Sequence, residues 1–142
     1  MASCWRREGG VMDSELVLYR GLPGSGKTTA AKLSGLPVVE ADDFFTVHGV
    51  YLFDKRRISD AHEWCKATAK RHLFCGASIA VANTATRRWE VAEYQKIADQ
   101  YGAEFRVVVC SGKWENCHGV PDEIVKRMKA RWEKWGGEEM LK

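Results

Sequence analysis

The amino-acid sequence predicts an α/β fold in which a parallel sheet of about four or five strands carries helices on both faces. The first observation behind this is that short apolar runs, typical of buried strands, alternate with helical patterns along the chain. Strands are predicted at residues 16–19, 37–40, 77–82 and 104–110. Helices are predicted after them, at residues 28–33, 55–74, 86–101 and 122–135. The second observation is a glycine-rich loop between the first strand and the first helix, the setting of a phosphate-binding P-loop.

The first half of the chain contains clear helix boundaries. Gly35 and Pro37 stop the first helix, Asp54 is a predicted N-cap of the second, and Gly76 follows the end of the second. Residues 46–53, with Gly49, are predicted to form a turn region. A buried stripe on the second helix is predicted from the spacing of its small and apolar residues, namely Ile58, Ala61, Cys65, Thr68 and Ala69.

The second half continues the alternation. Residues 77–82 are small and apolar throughout, as expected of a central parallel strand. The third helix repeats apolar residues at helical spacing, and Gly102 ends it. The last helix has acids in its first turn and bases in its last, and its predicted buried side consists of Ile124, Met128, Trp132 and Trp135. This order of elements predicts right-handed crossovers between parallel strands.

Composition limits the possible classes of protein. A chain of 142 residues suggests one domain, predicted at residues 14–142, preceded by a flexible tail at residues 1–13. The net charge of +3 is too small to argue for nucleic acid by itself. No run is apolar enough for a membrane span, so no membrane partner and a cytoplasmic location are expected. The odd number of cysteines, without C-x-x-C, favours reduced thiols and no disulfide-linked partner: Cys4, Cys65, Cys75, Cys110 and Cys117.

The loop after the first strand has the pattern G-x-x-x-x-G-K-T, which is typical of a P-loop NTPase fold. Its predicted ATP-binding residues are Gly21, Pro23, Gly24, Ser25, Gly26, Lys27, Thr28 and Thr29. Glycines allow backbone N–H groups to approach phosphate oxygens closely. Lys27 supplies a charge for the β- and γ-phosphates, and Thr28 a hydroxyl for Mg²⁺. A chance glycine-rich turn is the alternative, and the strand before and helix after disfavour it.

Polar residues follow the second and third predicted strands. Parallel strands bring their carboxyl ends to one edge, where ligands bind, so Asp42, Asp43 and residues 83–88 should border the P-loop. Phosphorylation of a hydroxyl needs a carboxylate to accept its proton, and Asp42 or Asp43 fits that role. The alternative is that one aspartate caps a helix or turn, as most aspartates near a strand end do.

Cations at this edge are candidates for phosphate contacts. Arg87 and Arg88 follow the third strand and could bind phosphate in a forked geometry. A solvated first turn of a helix is the alternative for both. His118 lies in a loop, predicted as a short lid around residues 111–121, that would close over the site.

An ordered series of motifs resembles the polynucleotide kinase-like P-loop kinases, which include phage polynucleotide 5′-hydroxyl kinase and related ATP-binding proteins. The series spans about residues 15–135: Gly-Leu-Pro-Gly-Ser-Gly-Lys-Thr-Thr, Ala-Asp-Asp-Phe-Phe, Gly-Val-Tyr-Leu-Phe-Asp, Ala-His-Glu-Trp-Cys, Trp-Glu-Val and His-Gly-Val-Pro. The resemblance implies an adenylate-kinase-like sandwich, ATP with Mg²⁺, and transfer of the γ-phosphate to a nucleic-acid hydroxyl. It also implies that Asp42 is the general base.

Two departures from the family pattern concern the acceptor side. Where the family commonly has Asp-Asn-Thr-Asn, this chain has Ala-Asn-Thr-Ala at residues 82–85, so an acidic group expected near the magnesium waters or the acceptor is missing. Glu115 and Asn116 stand where the family usually has Arg-Asn. The residues that could contact the acceptor or replace the lid arginine are Asn83, Thr84, Arg87, Arg88, Lys113 and His118.

Three functions remain open at this point. The leading one is a Mg·ATP-dependent kinase that acts on a nucleic-acid hydroxyl in DNA or RNA, most simply a 5′-OH end. A second keeps the chemistry but changes the acceptor to a hydroxymethylated base in DNA or a small-molecule alcohol. A third is a non-catalytic ATP-binding module. The presence of Lys27, Thr28 and Asp42 together favours an enzyme.

Overall fold

The computed structural model describes residues 14–112 and 119–141. Its strands are β1 (Glu15–Arg20), β2 (Val38–Val39), β3 (Thr46–Val47), β4 (Val50–Tyr51), β5 (Ile79–Asn83), β6 (Glu104–Cys110) and β7 (Glu139–Leu141). Its helices are α1 (Lys27–Leu33), α2 (Ile58–Phe74), α3 (Arg88–Gln100) and α4 (Asp122–Ala130). Two short 3-10 helices, Ala41–Phe45 and Lys55–Arg57, precede β3 and α2 respectively.

The central sheet has five strands in the order β2-β5-β1-β6-β7, and all its pairings are parallel. β1 lies in the middle, where Leu18 pairs with Val81 on one side and with Val107 on the other. The remaining strands, β3 and β4, form a separate antiparallel hairpin. Because the five strands run the same way, the loops after β1, β2, β5 and β6 emerge at one edge.

Apolar clusters cover both faces of the sheet, which confirms the predicted architecture. Alternate residues of β1 point to opposite faces. Leu16 and Leu18 pack with the buried sides of α2 and α3, whereas Val17 and Tyr19 pack with Ala31 of α1. β1 and β5 are buried on both sides along residues 16–18 and 79–82, which are all apolar, and polar side chains follow at their carboxyl ends, where the functional candidates begin.

Several predicted elements differ from the structure. β7 was not predicted, because it is a strand of three exposed residues without the buried apolar run that indicates a strand. It lies at the edge of the sheet, where Glu139 pairs with Arg106. The turn region at 46–53 is a hairpin, closed by His48 and Gly49 with φ angles of 50° and 79°. Two positive φ values match the right-handed twist of a hairpin.

The two predicted helical stripes were each partly wrong. On α2, Ala61, Cys65, Thr68 and Ala69 are buried, but Ile58 is 40% exposed because it stands at the first residue of the helix. The last helix ends at Ala130 and not at residue 135, and none of its residues is fully buried. Trp132 and Trp135 therefore lie in the segment that follows α4 rather than on a helical stripe.

The cysteines correct one expectation. Cys65 and Cys110 are buried free thiols, but Cys75 forms a disulfide, so the prediction that the thiols are all reduced was wrong. Cys75 stands just past the end of α2, where it is only partly buried. Within the described part of the chain, no helix combines the length and apolarity needed to cross a bilayer.

Candidate functional site

The loop between β1 and α1 is held in place by backbone contacts. The Ser25 N–H donates to the Leu22 carbonyl at 3.0 Å, and the Gly112 N–H, just beyond β6, donates to the Ser25 carbonyl at 3.1 Å. A Cβ at Gly21 would lie 2.8 Å from the Cys110 carbonyl oxygen and would also collide with Ser25. Glycine is thus required at position 21 by close packing between the loop and β6.

The conformation of this loop suits an anion. Gly24 and Gly26 have φ angles of 81° and 87°, which favour glycine, and α1 begins at the next residue, Lys27. The Ser25 hydroxyl is buried and has no hydrogen-bond partner among residues 14–112 and 119–141. A phosphate oxygen is an acceptor that would satisfy it. Burial raises the pKa of the neighbouring Cys110 thiol, while the positive charge of Lys27 acts in the opposite direction.

A carboxylate connects the P-loop with the end of β2. The Thr28 hydroxyl donates to Glu40 Oε2 at 2.6 Å. Glu40 directly precedes the 3-10 helix that carries Asp42 and Asp43. The P-loop hydroxyl and the two candidate bases therefore belong to adjoining segments, joined by one short hydrogen bond.

The two aspartates have different surroundings. Asp43 is exposed, and its carboxylate accepts the backbone N–H of Glu40 at 3.1 Å while its own N–H donates to the Glu40 carbonyl at 3.0 Å. This is the capping role raised as the alternative for one member of the pair. Asp42 is half-buried and its Oδ1 accepts the Tyr51 hydroxyl at 3.0 Å.

Tyr51 was missed by the sequence analysis. Burial, together with the negative charge of Asp42 and the hydrogen bond to it, raises the pKa of Tyr51 to about 12, so the phenol remains a donor near neutral pH. Tyr51 belongs to an aromatic cluster of the hairpin: Phe45 packs edge-on against Phe53 at 5.1 Å, and Tyr51 stacks on Phe53 at 18°. The closely spaced aromatics at 44, 45, 51 and 53 were the available sequence signal.

Asn83, a predicted acceptor contact, is 6% exposed and fully engaged within the protein. Its Oδ1 accepts the Ala41 N–H at 2.9 Å, and its Nδ2 donates to the Tyr94 hydroxyl at 3.2 Å and approaches Cys65 Sγ at 3.5 Å. Asn83 thereby attaches the start of the 3-10 helix, which contains Asp42, to the end of β5. Its neighbour Thr84 is half-buried.

The predicted cations lie farther out. Arg87 and Arg88 are exposed at the start of α3. The Arg88 N–H donates to Glu133 Oε1 at 2.9 Å, and its guanidinium lies 3.7 Å from Glu133 Oε2. Lys113 and His118 lie outside the described residues, as do the tail at residues 1–13 and most of the lid predicted around residues 111–121.

A second residue missed by the sequence analysis is Arg20, which is completely buried at the end of β1. Its guanidinium donates to the Ala85 carbonyl at 2.6 and 3.1 Å, pairs with Glu138 at 3.0 Å, and stacks on the Trp132 ring at 4.0 Å. Ala85 has a φ of 46°, which is unfavourable for alanine, and Arg20 fixes that turn. No motif marks a buried arginine.

A cavity of about 270 Å³ opens between α2 and α3 beside the end of β5. Asn83, Ala85 and Tyr94 are among its lining residues, with Trp89 at its rim. Its charged lining comprises three glutamates, one lysine and one histidine: Glu63, Glu90, Glu93, Lys66 and His62. This lining is more acidic than basic.

Comparisons with known proteins agree with this fold. The family model described as an AAA domain matches residues 16–134, which include the P-loop, both aspartates and the end of β5. The chain belongs to this AAA domain family. The human NEDD4-binding protein 2 is 33% identical to this AAA domain over 136 residues, covering 84% of the chain. The match spans only 8% of that relative's length.

Solved structures share the fold at lower identity. The Mycobacterium tuberculosis APS kinase CysC, in complex with AMPPNP and APS, superposes with a TM-score of 0.59 and 18% identity, covering 91% of this chain and 88% of that one. A chain of the Pnkp1/Rnl/Hen1 complex superposes with a TM-score of 0.60 and 19% identity, covering 94% and 45%. This AAA domain thus has a P-loop kinase-like fold.

Proposed function

We propose that this AAA domain is a Mg·ATP-dependent phosphotransferase that transfers the γ-phosphate to a nucleic-acid hydroxyl, most simply a polynucleotide 5′-OH end. The observation that carries the proposal is the 2.6 Å hydrogen bond from Thr28 to Glu40. It brings the P-loop, which suits a triphosphate, next to the segment that carries Asp42, which suits a proton acceptor. A nucleotide-binding loop and a candidate base side by side are the two halves of a kinase site.

The residues of the P-loop fit the nucleotide and its ion. The phosphates would be held by the Ser25 hydroxyl, which has no hydrogen-bond partner within the described residues, by the left-handed Gly24 and Gly26, and by the Lys27 ammonium. The Thr28 hydroxyl would hold Mg²⁺, a hard cation that prefers oxygen ligands. When bound, Mg²⁺ would supply positive charge that offsets the negative charge developing on the phosphates during transfer.

Asp42 is our choice for the general base. It is the half-buried member of the pair, and the Tyr51 hydroxyl donates to its Oδ1 and so orients the carboxylate that would accept the proton. Asp43 caps the 3-10 helix through the Glu40 backbone, and we therefore assign it a structural role in positioning Asp42. In the proposed reaction Asp42 takes the proton of the hydroxyl while that oxygen bonds to the γ-phosphorus and ADP departs.

The nucleic-acid acceptor rests on the motif resemblance and on the exposed guanidinium groups of Arg87 and Arg88. Both follow the end of β5, on the same edge as Asp42, and an exposed arginine can contact the phosphate that flanks a terminal hydroxyl.

A small-molecule alcohol is a second candidate acceptor, and the cavity beside β5 favours it. Three glutamates in the lining repel phosphate groups and can hydrogen-bond hydroxyl or amine groups of a small acceptor. A volume of about 270 Å³ suits a molecule of sugar or nucleoside size. A hydroxymethylated base in DNA would offer both a small alcohol group for the cavity and backbone phosphates for Arg87 and Arg88.

Transfer of labelled γ-phosphate from ATP to a panel of acceptors tests the proposal. The panel contains 5′-OH oligonucleotides of DNA and RNA, base-hydroxymethylated duplex, nucleosides and simple sugars, and the Asp42→Asn variant is the control. We expect label on oligonucleotide 5′ ends, lost in the control. Label only on small alcohols would move the proposal to the second acceptor class. ATP binding without label on any acceptor would identify a non-catalytic nucleotide-binding module.

A further inference from the structure

Glu40 contacts the hydroxyl expected to bind magnesium. Its carboxylate accepts the Thr28 Oγ1 hydrogen at 2.6 Å, within the range of a strong charge-assisted hydrogen bond. A threonine hydroxyl that donates its only proton in this way keeps both lone pairs available for a cation. The contact therefore orients Thr28 as a ligand instead of blocking it.

The strand register explains why position 40 can take this role. β2 pairs with β5 so that Val38 lies beside Ala80 and Val39 beside Val81. Glu40 is the next residue after β2, and extending the same register by one step sets it beside Ala82. Neighbours in parallel register point to the same face of a sheet. For these residues it is the face covered by α1, since Ala82 packs with Ala31, one turn after Thr28.

A carboxylate on β2 can thus replace a carboxylate absent from β5. Position 82, where the resemblance implies an acidic residue, holds an alanine that is 1% exposed. Glu40 is its lateral neighbour and has a side chain one methylene longer than aspartate, so it can reach the first turn of α1 from the adjacent strand. The observed hydrogen bond to Thr28 shows that it does so.

We propose that Glu40 completes the magnesium site of the bound nucleotide together with Thr28, either as a ligand or by accepting a hydrogen bond from a magnesium-bound water. The inference rests on the proposed binding of Mg·ATP. Both groups offer hard oxygen atoms, as Mg²⁺ requires.

The surroundings hold Glu40 ready for this role. Asp43 binds the Glu40 backbone N–H, and Asn83 binds the backbone N–H of the next residue, so the main chain at position 40 is fixed on both sides. No cluster of three or more histidine, cysteine or acidic side chains within residues 14–112 and 119–141 could hold a metal without a nucleotide. Magnesium would therefore bind with the phosphates, as is usual for this ion in kinases.

Calorimetry with the ATP analogue AMPPNP tests the inference without relying on turnover. The affinity is measured with Mg²⁺ and again in EDTA, and the ratio of the two dissociation constants reports how strongly the metal couples to the nucleotide. In Glu40→Gln we expect this ratio to fall by about tenfold or more, the usual cost of removing a group that supports a metal site. The affinity in EDTA should stay the same or improve, because a negative charge near the phosphates has been removed.

Two further variants make the test specific. Glu104→Gln makes the same chemical change at the exposed start of β6, away from the candidate site, and should leave the ratio unchanged. The double variant Glu40→Gln with Ala82→Asp places a carboxylate on β5 instead of after β2. In this variant the ratio of the two dissociation constants should rise most of the way back to the value of the unmodified protein. Thermal unfolding checks each fold. If Glu40→Gln does not fold, Glu40→Ala replaces it with the same expected outcome.

An unchanged ratio in the Glu40 variant would overturn the inference. So would an equal loss of affinity with and without Mg²⁺, since that outcome would assign Glu40 a purely structural effect on the P-loop. Failure of the proposed function looks different: the acceptor panel would remain unlabelled while the magnesium coupling and its dependence on Glu40 persisted.

Discussion

The two sides of the candidate site are built differently. On the nucleotide side, the loop from Gly21 to Lys27 is held by backbone hydrogen bonds and by glycine geometry. On the acceptor side, the segment from Ala41 to Tyr51 is held by side chains: Asn83, 42 residues along the chain, binds the Ala41 N–H, and Tyr51 within the segment binds Asp42. The nucleotide side therefore depends on a short local pattern, whereas the acceptor side depends on the whole fold.

This difference predicts how each side responds to substitution. Changes in the P-loop should affect nucleotide binding and transfer together. Changes around Asp42 should affect transfer while nucleotide affinity persists. The variants below separate the two sides, beginning with the largest expected effect.

Lys27→Ala should abolish detectable transfer and weaken Mg·ATP binding by about a hundredfold or more, because the phosphates lose a fixed positive charge. Calorimetry and the transfer assay measure the two effects. Lys32→Ala, which removes a charge from the last turn of the same helix, is the control and should change neither. Unchanged affinity and turnover in Lys27→Ala would refute the assignment of the P-loop.

Asp42→Asn should reduce transfer by about a hundredfold or more while the affinity for ATP stays within about twofold, since shape is kept and the base is lost. Asp43→Asn is the matched control, and we expect a loss of less than about tenfold from a weaker cap. If the larger loss followed the Asp43 substitution, the two roles would have to be exchanged.

Asn83→Ala should lower stability by about 1–3 kcal/mol, because the buried Ala41 N–H and the Tyr94 hydroxyl each lose a partner. Transfer should fall by about tenfold, since the 3-10 helix that carries Asp42 loses its attachment to β5, with ATP affinity retained. Denaturant unfolding and kinetics provide the two measurements. A parallel loss of ATP affinity would mean that the two sides are not separable.

Neutralising Arg87 and Arg88 together should raise KM for an oligonucleotide acceptor several-fold and leave KM for ATP unchanged. The acceptor KM of the unmodified protein should also rise with salt, because phosphate contacts release counterions. Steady-state kinetics at two salt concentrations tests both statements. An acceptor KM insensitive to salt and to the double substitution would favour the small-molecule alcohol.

The smallest effect is expected from the Tyr51–Asp42 contact at high pH. Folding raises the pKa of Tyr51 from about 10 to about 12, so the folded state holds this proton more tightly than the unfolded chain. The free energy of unfolding should therefore fall as the pH rises from 10 towards 12. In Tyr51→Phe that decline should be shallower, as measured by denaturant unfolding at pH 8, 10 and 11. Identical slopes would contradict the assigned pKa.

The sequence predicted the central strands because each is a local apolar run. It also predicted the P-loop, since its glycine spacing reflects backbone geometry that only a few residues determine. The contact at Ala41 shows what local sequence patterns cannot predict. The Asn83–Ala41 hydrogen bond joins residues 42 apart, and no local pattern indicates it. The sequence analysis named Asn83 as a possible acceptor contact because it follows the third predicted strand, and the structure adds that its amide bonds to Ala41 and Tyr94.

Charged residues at unexpected positions were the other limit. Glu40 follows a two-residue strand, and only the register with β5 places it beside Ala82. β7 has only three residues and all are exposed, so it joins the sheet through its pairing with β6 and no apolar pattern of its own predicts it. Both features follow from long-range pairing, which a single sequence does not display.

The clamp around Arg20 has a consequence for the order of folding. Arg20 and Glu138 are 118 residues apart, so their ion pair closes a loop that contains most of the chain. A fully buried guanidinium without a carboxylate partner is costly, and loop closure of this length is slow. During synthesis, β1 can pair with β5 and β6 before Glu138 emerges from the ribosome. We therefore expect the turn at Ala85 to become fixed only in the last step of folding. Nascent chains would then contain the sheet before the acceptor side of the candidate site has formed.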